Sequence, residues 1–235
     1  MLQKLSLTLS PKLALTLADA MQGVLMMQID PSYATYLHTQ KINSYSQYIS
    51  FQNGETFWNI QTTTEEAGRE IISPLLSSVF ATFHLKRINK DVQITQKKHT
   101  QITNNDFLNM FYFEPSKQIF RVKFITPTAF KSDGNYIFHP DLRLLFQSLM
   151  NKYGETNEDV LASLVSNSKI IRYNLKSSYA SIERVRIPAF VGTIAIKFAQ
   201  ADQLANYARL LLNFGEYSGV GIKSSMGMGG MEVIS

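Results

Sequence analysis

The sequence predicts an α+β fold of two tandem ferredoxin-like units, each a β-α-β-β-α-β run with an antiparallel sheet, and three observations carry that prediction. Two-residue and 3.6-residue apolar periods alternate along the chain in that order, and the order occurs twice. The length of 235 residues, 45% of them hydrophobic, suits one large domain or two of roughly 100–120 residues. A turn-forming stretch, Glu114-Pro115-Ser116, separates the two runs. The expected division is therefore 1–114 and 115–235. No amino-acid repeat accompanies the duplication, so it is one of architecture only.

In the first run, "LQKLSLTL" alternates as a half-buried strand does. Ser10-Pro11 reads as an N-cap with proline at the first helical position, and Leu13, Leu17, Met21, Val24 and Leu25 follow at helical spacing. A polar loop over 30–44 leads to the strands "YSQYISF" and "ETFWNIQT", joined by the hairpin signal Asn53-Gly54. Thr64 with Glu65 and Glu66 opens a helix that Pro74 disturbs. "TFHLKRIN" and "DVQITQKK" read as strands, and Thr103 with Asp106 caps a short helix at 103–112.

The second run starts with the strand "QIFRVKFIT". A helix follows over "HPDLRLLFQSLMNKYG", with Pro140 at its first position and Gly154 at its end. Thr156 and Asp159 cap another short helix. "KIIRYNLK" and "SYASIERVRI" read as a hairpin pair, "FVGTIAIKF" as a strand, "DQLANYARLLLNFG" as a helix and "MEVI" as a closing strand.

Composition removes several function classes. There is no cysteine, hence no disulfide framework and no thiolate chemistry, and an intracellular, cytoplasmic protein is the expectation. The N-terminus superficially resembles a signal peptide, but Pro11 and Lys12 interrupt it, and no apolar run of about 18 residues exists to span a membrane. The net charge of +5 is compatible with nucleic acid without being diagnostic. Positive charge concentrates in two segments, His84 to His99 and Lys169 to Arg186, each with five basic residues and one acid. A solvated hairpin face accounts for either segment equally well.

Gly215 to Gly230 holds six of the chain's twelve glycines. A missing Cβ lets backbone N–H groups approach an anion, so glycine-rich loops often cradle phosphates. The loop follows a helix and leaves five residues after it, so it is not a dinucleotide-binding turn. No Gly-Lys-Ser/Thr occurs, so it is not a P-loop. A flexible C-terminal turn is the alternative.

Several stretches together resemble a known family. These are "ITPTAFKSDGNYIFHPDLRLLFQSL", "IPAFVGTIAIKF" and above all "YSGVGIKSSMGMGG", where Gly219-Val-Gly221 precedes Gly227-Met-Gly229. "YLHTQKINSYSQYIS" adds a Leu-His pair before a Tyr-x-x-x-Ser segment, with Ser44 standing where many relatives carry proline. On these motifs the chain is similar to the CRISPR-associated endoribonucleases that cut precursor CRISPR RNA within its repeats, members of the tandem ferredoxin-like, repeat-associated RNA-binding superfamily. The resemblance implies that the glycine-rich loop faces an RNA backbone, with Gly219, Gly221, Gly227 and Gly229 offering N–H groups beside Lys223, Ser224 and Ser225.

Metal-dependent scission fits the sequence poorly, because His38, His84, His99 and His139 are dispersed without ligand spacing. The expectation is no metal and no cofactor. Metal-independent cleavage uses the RNA's own 2′-OH and leaves a 2′,3′-cyclic phosphate (or 3′-phosphate) and a 5′-hydroxyl. It needs proton transfer at two oxygens and charge neutralisation at the phosphate. Read by residues alone, His38 is an ordinary loop histidine as readily as a catalyst. The resemblance selects it, and Asp30-Pro31 could start a short helix ending near it, where a cation suits the dipole. Lys41 is the candidate stabiliser of the phosphorane, and Tyr36 and Tyr45 are candidate second proton carriers. Lys86, Arg87, Lys97 and Lys98 form one candidate RNA-binding cluster; Arg172, Lys176, Arg184 and Arg186 form the other. Tyr112, Phe113, Phe120 and Phe124 are aromatics that could stack on bases, though most aromatics belong to a core.

The implied function is an endoribonuclease acting on CRISPR repeat RNA, with a CRISPR effector complex and a second copy of the chain as further candidate partners. Two rivals stay open: a non-catalytic RNA-binding subunit of a CRISPR ribonucleoprotein complex, and a structural ferredoxin-like dimer unrelated to RNA.

Overall fold

The computed structural model describes residues 1–115, 117–183 and 185–234. Its first half contains β1 (Leu2–Ser10), α1 (Ala18–Gln28), α2 (Pro31–Thr39), β2 (Tyr45–Gln52), β3 (Glu55–Thr62) and α3 (Glu65–Ala67). A π-turn, Gly68–Ile72, links α3 to α4 (Ser73–Leu76), and β4 (Thr82–Leu85) and β5 (Lys90–Ile102) follow. α5 (Asn104–Leu108) then runs into a second π-turn, Asn109–Phe113. The second half contains β6 (Ile119–Thr128), the small hairpin β7 (Phe130–Ser132) and β8 (Asn135–Ile137), α6 (Leu142–Tyr153) and α7 (Glu158–Ser166). β9 (Ser168–Ile182), β10 (Val185–Phe198), α8 (Gln203–Ser218) and β11 (Met231–Ile234) complete the order.

Two antiparallel sheets result, ordered β2-β3-β1-β5-β4 and β11-β6-β10-β9. With the short edge strand β4 set aside, both have the same order of second, third, first and fourth strands. Both are thus ferredoxin-like, as the repeated pattern predicts. Leu5, Leu7 and Leu9 of β1 pack with Met21, Val24 and Leu25 of α1 in one core, and Ile194, Ile196 and Phe198 of β10 pack with Leu145, Phe146 and Leu149 of α6 in the other. α8 joins the halves. Ala205, Ala208, Leu211 and Leu212 belong to the second core, while Leu210 and Phe214 meet Leu2 and Phe107 of the first half. Lys4 of β1 pairs with Glu216 on the same helix at 2.6 Å. No helix among the described residues is long and apolar enough to cross a membrane.

The structure corrects four local expectations. Ser10-Pro11 does not start a helix; β1 runs through Ser10, and α1 begins only at Ala18 after a 3-10 turn at Leu15–Leu17. Leu13 is drawn into the core instead, and its N–H bonds to Thr56 Oγ1 at 3.2 Å. At α6 the N-cap is Asp141, not the residue before Pro140, because its carboxylate accepts from the Leu144 N–H. At α7 the cap is Asn157 rather than Thr156, accepting from Asp159 and Val160. "KIIRYNLK" and "SYASI" are not a hairpin pair but parts of one strand, β9, paired along its length with β10. β9 ends at Ile182 and β10 begins at Val185, and Glu183 after β9 takes a φ of +49°; Arg184, like Ser116 of the expected boundary, lies outside the described residues.

Candidate active site

α2 sets the position of His38. Asp30 accepts from the Ser32 and Tyr33 N–H groups, and Pro31 follows it in the first turn. Tyr33 and Leu37, four residues apart, turn into the core. The helix is thereby fixed by one buried face, and His38 in its last turn is left exposed beside Lys41 in the connection to β2.

The glycine-rich loop is tied into the fold by its own backbone. Positive φ values occur at Gly219 (+63°), Gly221 (+74°), Lys223 (+57°), Gly227 (+99°) and Gly229 (+67°). The Val220 N–H donates to Gly229 O, the Gly229 N–H to Pro127 O, and the Ile222 N–H to Ala129 O, all near 3.0 Å. The Gly219 N–H closes on Gly215 O, and the Gly221 N–H donates to Ser148 Oγ at 2.8 Å. The expectation that these glycines offer N–H groups to a phosphate is therefore corrected: at Gly219, Gly221 and Gly229 the donors are used inside the protein. Their glycines are required by close approach. A Cβ on Gly221 would stand 2.3 Å from Ala129 O, and one on Gly229 2.0 Å from Val220 O. Gly221→Val should accordingly destabilise the fold by roughly 2–5 kcal/mol, combining the left-handed backbone penalty with overpacking. Chemical denaturation checks this; a variant as stable as the native chain would show that the loop tolerates a side chain.

What the loop presents to the cleft is its outer turn. Lys223, Ser224 and Ser225 line a cleft of about 670 Å³ together with His38 and Lys41. Two segments more than 180 positions apart in sequence thus line one cleft between the two halves. Lys41, Lys131 and Lys223 line this cleft, beside Lys152, which is hydrogen-bonded within the protein, and Glu183 is the one carboxylate among its described lining residues. Such a surplus of cations suits a polyanion. The wall beneath is tied by hydrogen bonds. Gln47 donates to Ser225 O at 3.1 Å across the two halves, and within the first half the indole of Trp58 donates to Gln47 Oε1 at 2.9 Å and Gln22 donates to Tyr45 Oη at 3.2 Å. Asn43, whose Oδ1 is buried without a protein partner, also lines the cleft.

The other sequence-selected residues divide. Tyr45 lines the cleft but is fully buried, and burial pushes its phenol up to about 12, with Gln22 and Ser225 hydrogen-bonded to it. That environment holds it neutral, which fits a hydrogen-bonding post better than a proton carrier. Tyr36 is exposed, stacks on Tyr33 at 5.6 Å and is not in the cleft wall. Gly227 packs against Ala18. Arg87 is paired with Asp19, its Nη2 2.8 Å from Oδ2. Lys97 donates to Leu75 O and Ser77 O, so it holds the end of α4 rather than standing free. Lys86 and Lys98 are exposed away from the cleft. Arg172 and Lys176 are exposed on the edge strand β9, and Arg186 lies over the Tyr179 ring at 3.8 Å. Phe120 and Phe124 are core residues, whereas Phe113 is exposed and Tyr112 half-buried. His84 bonds Asp91 and His99 bonds Gln3. His139 does not cap α6, since Asp141 does.

Among the described residues no three histidine, aspartate or glutamate side chains gather closely enough to hold a metal ion. Sequence reasoning did not find Lys152, whose ammonium reaches the base of the glycine-rich loop. A lysine in a helix's last turn is too ordinary to single out.

Comparisons with known proteins place the chain among relatives. A family model described as CRISPR-associated endoribonuclease Cas6 matches residues 122–231. A CRISPR-associated endoribonuclease Cas6 from Mycobacterium tuberculosis is 38% identical over 225 residues, covering 93% of this chain and 72% of its own length. One of the same description from Streptococcus thermophilus is 37% identical over 224 residues, covering 92% of this chain and 91% of its own. Among solved structures, a Cas6 product complex superposes with a TM-score of 0.82 at 20% identity, with all of both chains covered; at that identity the likeness is one of fold.

Proposed function

The chain belongs to the CRISPR-associated endoribonuclease Cas6 family, and from that premise we propose that its cleft cuts precursor CRISPR RNA within the repeat, using His38 as a proton carrier. The observation that carries the reading is the meeting of His38 and Lys41 with Lys223–Ser225 across one cation-lined cleft. The RNA's 2′-oxygen attacks the adjacent phosphorus, and the 5′-oxygen departs. The products of this step are a 2′,3′-cyclic phosphate and a 5′-hydroxyl, and later hydrolysis of the cyclic ester by water gives the 3′-phosphate. His38 moves one of the two protons, and Lys41 and Lys223 offset the charge that develops on the phosphorane. Residues 1–114 supply the catalytic wall, and residues 115–235 the loop that holds the backbone. Arg172, Lys176 and Arg186 stand on the β9–β10 hairpin, whose inner residues pack on Met228 of the loop, so they suit a continuation of the RNA beyond the cleft.

The test is cleavage of a synthetic repeat RNA by the purified chain, with and without EDTA. Because no described donor set gathers to hold a metal, cutting should proceed at the same rate in chelator. Activity lost in EDTA and restored by a divalent ion, with folding unchanged, would overturn the metal-free route. Binding without cutting by the native chain would favour a non-catalytic subunit instead.

A further inference from the structure

We propose that Lys152 is a positioning residue for cleavage: its ammonium clamps the end of α8 to the Lys223–Ser225 turn and so fixes the wall that faces His38. The proposal rests on the reading of the cleft as the RNA-cleaving site. Lys152 sits in the last turn of α6, and all three of its N–H donors are spent. It donates to Ser218 O at 3.1 Å, to Gly219 O at 3.1 Å and to Ser224 Oγ at 3.0 Å.

The partners explain why a lysine stands here. Ser218 and Gly219 carry carbonyls at the C-terminus of α8, beyond the reach of the helix's backbone N–H ladder and at the negative end of its dipole, with the Ser218 hydroxyl also donating to Gly219 O at 2.8 Å. No carboxylate forms an ion pair with Lys152 among the described residues. Those carbonyls offset its charge in place of one, although burial still pulls its pKa down to about 7. A solvated lysine on the same helix would be cheaper, so even its partial burial needs a use. The use is the third bond. The loop leaves α8 through Gly219 and returns through Gly227 and Gly229, all at positive φ. A turn built on such residues has few side chains of its own to anchor it. Lys152 joins the loop's point of departure to Ser224, so the outer turn cannot tilt without breaking a charge-assisted hydrogen bond.

The experiment compares the native chain with Lys152→Met, Lys152→Arg and Ser224→Ala. In the free protein, hydrogen exchange at the amides of 220–228 should quicken at least tenfold in Lys152→Met and in Ser224→Ala. In single-turnover cleavage at saturating protein, Lys152→Met should be slower by roughly 10²-fold, the cost of misplacing a reacting group by about 1 Å. Repeat-RNA affinity should stay within about threefold, because backbone contacts elsewhere dominate it. Lys152→Arg, which keeps the charge and several donors, should recover part of the rate. The Lys152→Met/Ser224→Ala double variant should be no slower than Lys152→Met, since both break the same tie. Unchanged exchange in Lys152→Met, or a rate within threefold of native, overturns the proposal. If Lys152→Met fails to fold, Ser224→Ala decides alone: native exchange and native rate in that variant refute the clamp. A native chain that does not cut the repeat, with exchange quickened as expected, refutes the cleavage reading while the clamp stands as structure; a merely structural lysine would lower stability without the split between rate and affinity.

Discussion

His38→Ala cuts repeat RNA roughly 10²–10⁴-fold more slowly than the native chain in single turnover, the span for losing one general acid or base. His38 is exposed in the last turn of α2 while Leu37 beside it is buried. The alanine variant therefore loses a ring that supports no core packing, and its stability should match the native chain's within about 0.5 kcal/mol, as for other surface changes. Repeat affinity should hardly move, because a single imidazole is a small part of a binding surface dominated by phosphate contacts. Rate and affinity must separate. The pH profile then assigns the role: a base gives a rate that rises through the histidine range, and an acid gives one that falls above it. A variant within about threefold of native would move the proton-carrying role to another group in the cleft, with Lys41 first because it lines the same wall.

A single 2′-deoxy substitution at the nucleotide 5′ to the cut leaves the repeat bound but uncut. The attacking oxygen is absent, and nothing in the proposed route replaces it with water. The expected loss is the whole of the chemical step, larger than that of any side-chain change. Deoxy substitutions at other repeat positions should change cleavage by less than about tenfold, since each removes at most one hydrogen bond of about 0.5–1.5 kcal/mol. A product with a 5′-phosphate, or cutting that survives the deoxy substitution, would require an activated water and exclude the proposed route. Together with the histidine variant this separates the nucleophile, which belongs to the RNA, from the proton carrier, which belongs to the protein.

By itself the sequence determined the architecture. Alternation in "LQKLSLTL" and "FVGTIAIKF", helical spacing in "DLRLLFQSL" and the Asn53-Gly54 turn are local signals, each set by which side of an element must be dry. Asp30-Pro31 marked the start of α2 for the same reason, since a cap is made within four residues. Where neighbours competed for a local role, only the tertiary structure decided: Asp141 over the residue before Pro140, Asn157 over Thr156, and a strand running through Ser10 because Leu13 had a core to enter. The site shows the same division. His38 and the glycine-rich loop were legible as motifs, but their meeting depends on α8 packing against both sheets, a contact between positions far apart in the chain. The spent N–H groups of Gly219, Gly221 and Gly229, the burial of Tyr45 and the reach of Lys152 to Ser224 are likewise fixed by what stands opposite each group. Hydrogen-bond satisfaction and burial are properties of three-dimensional neighbours, and periodicity, which reports one element at a time, does not contain them.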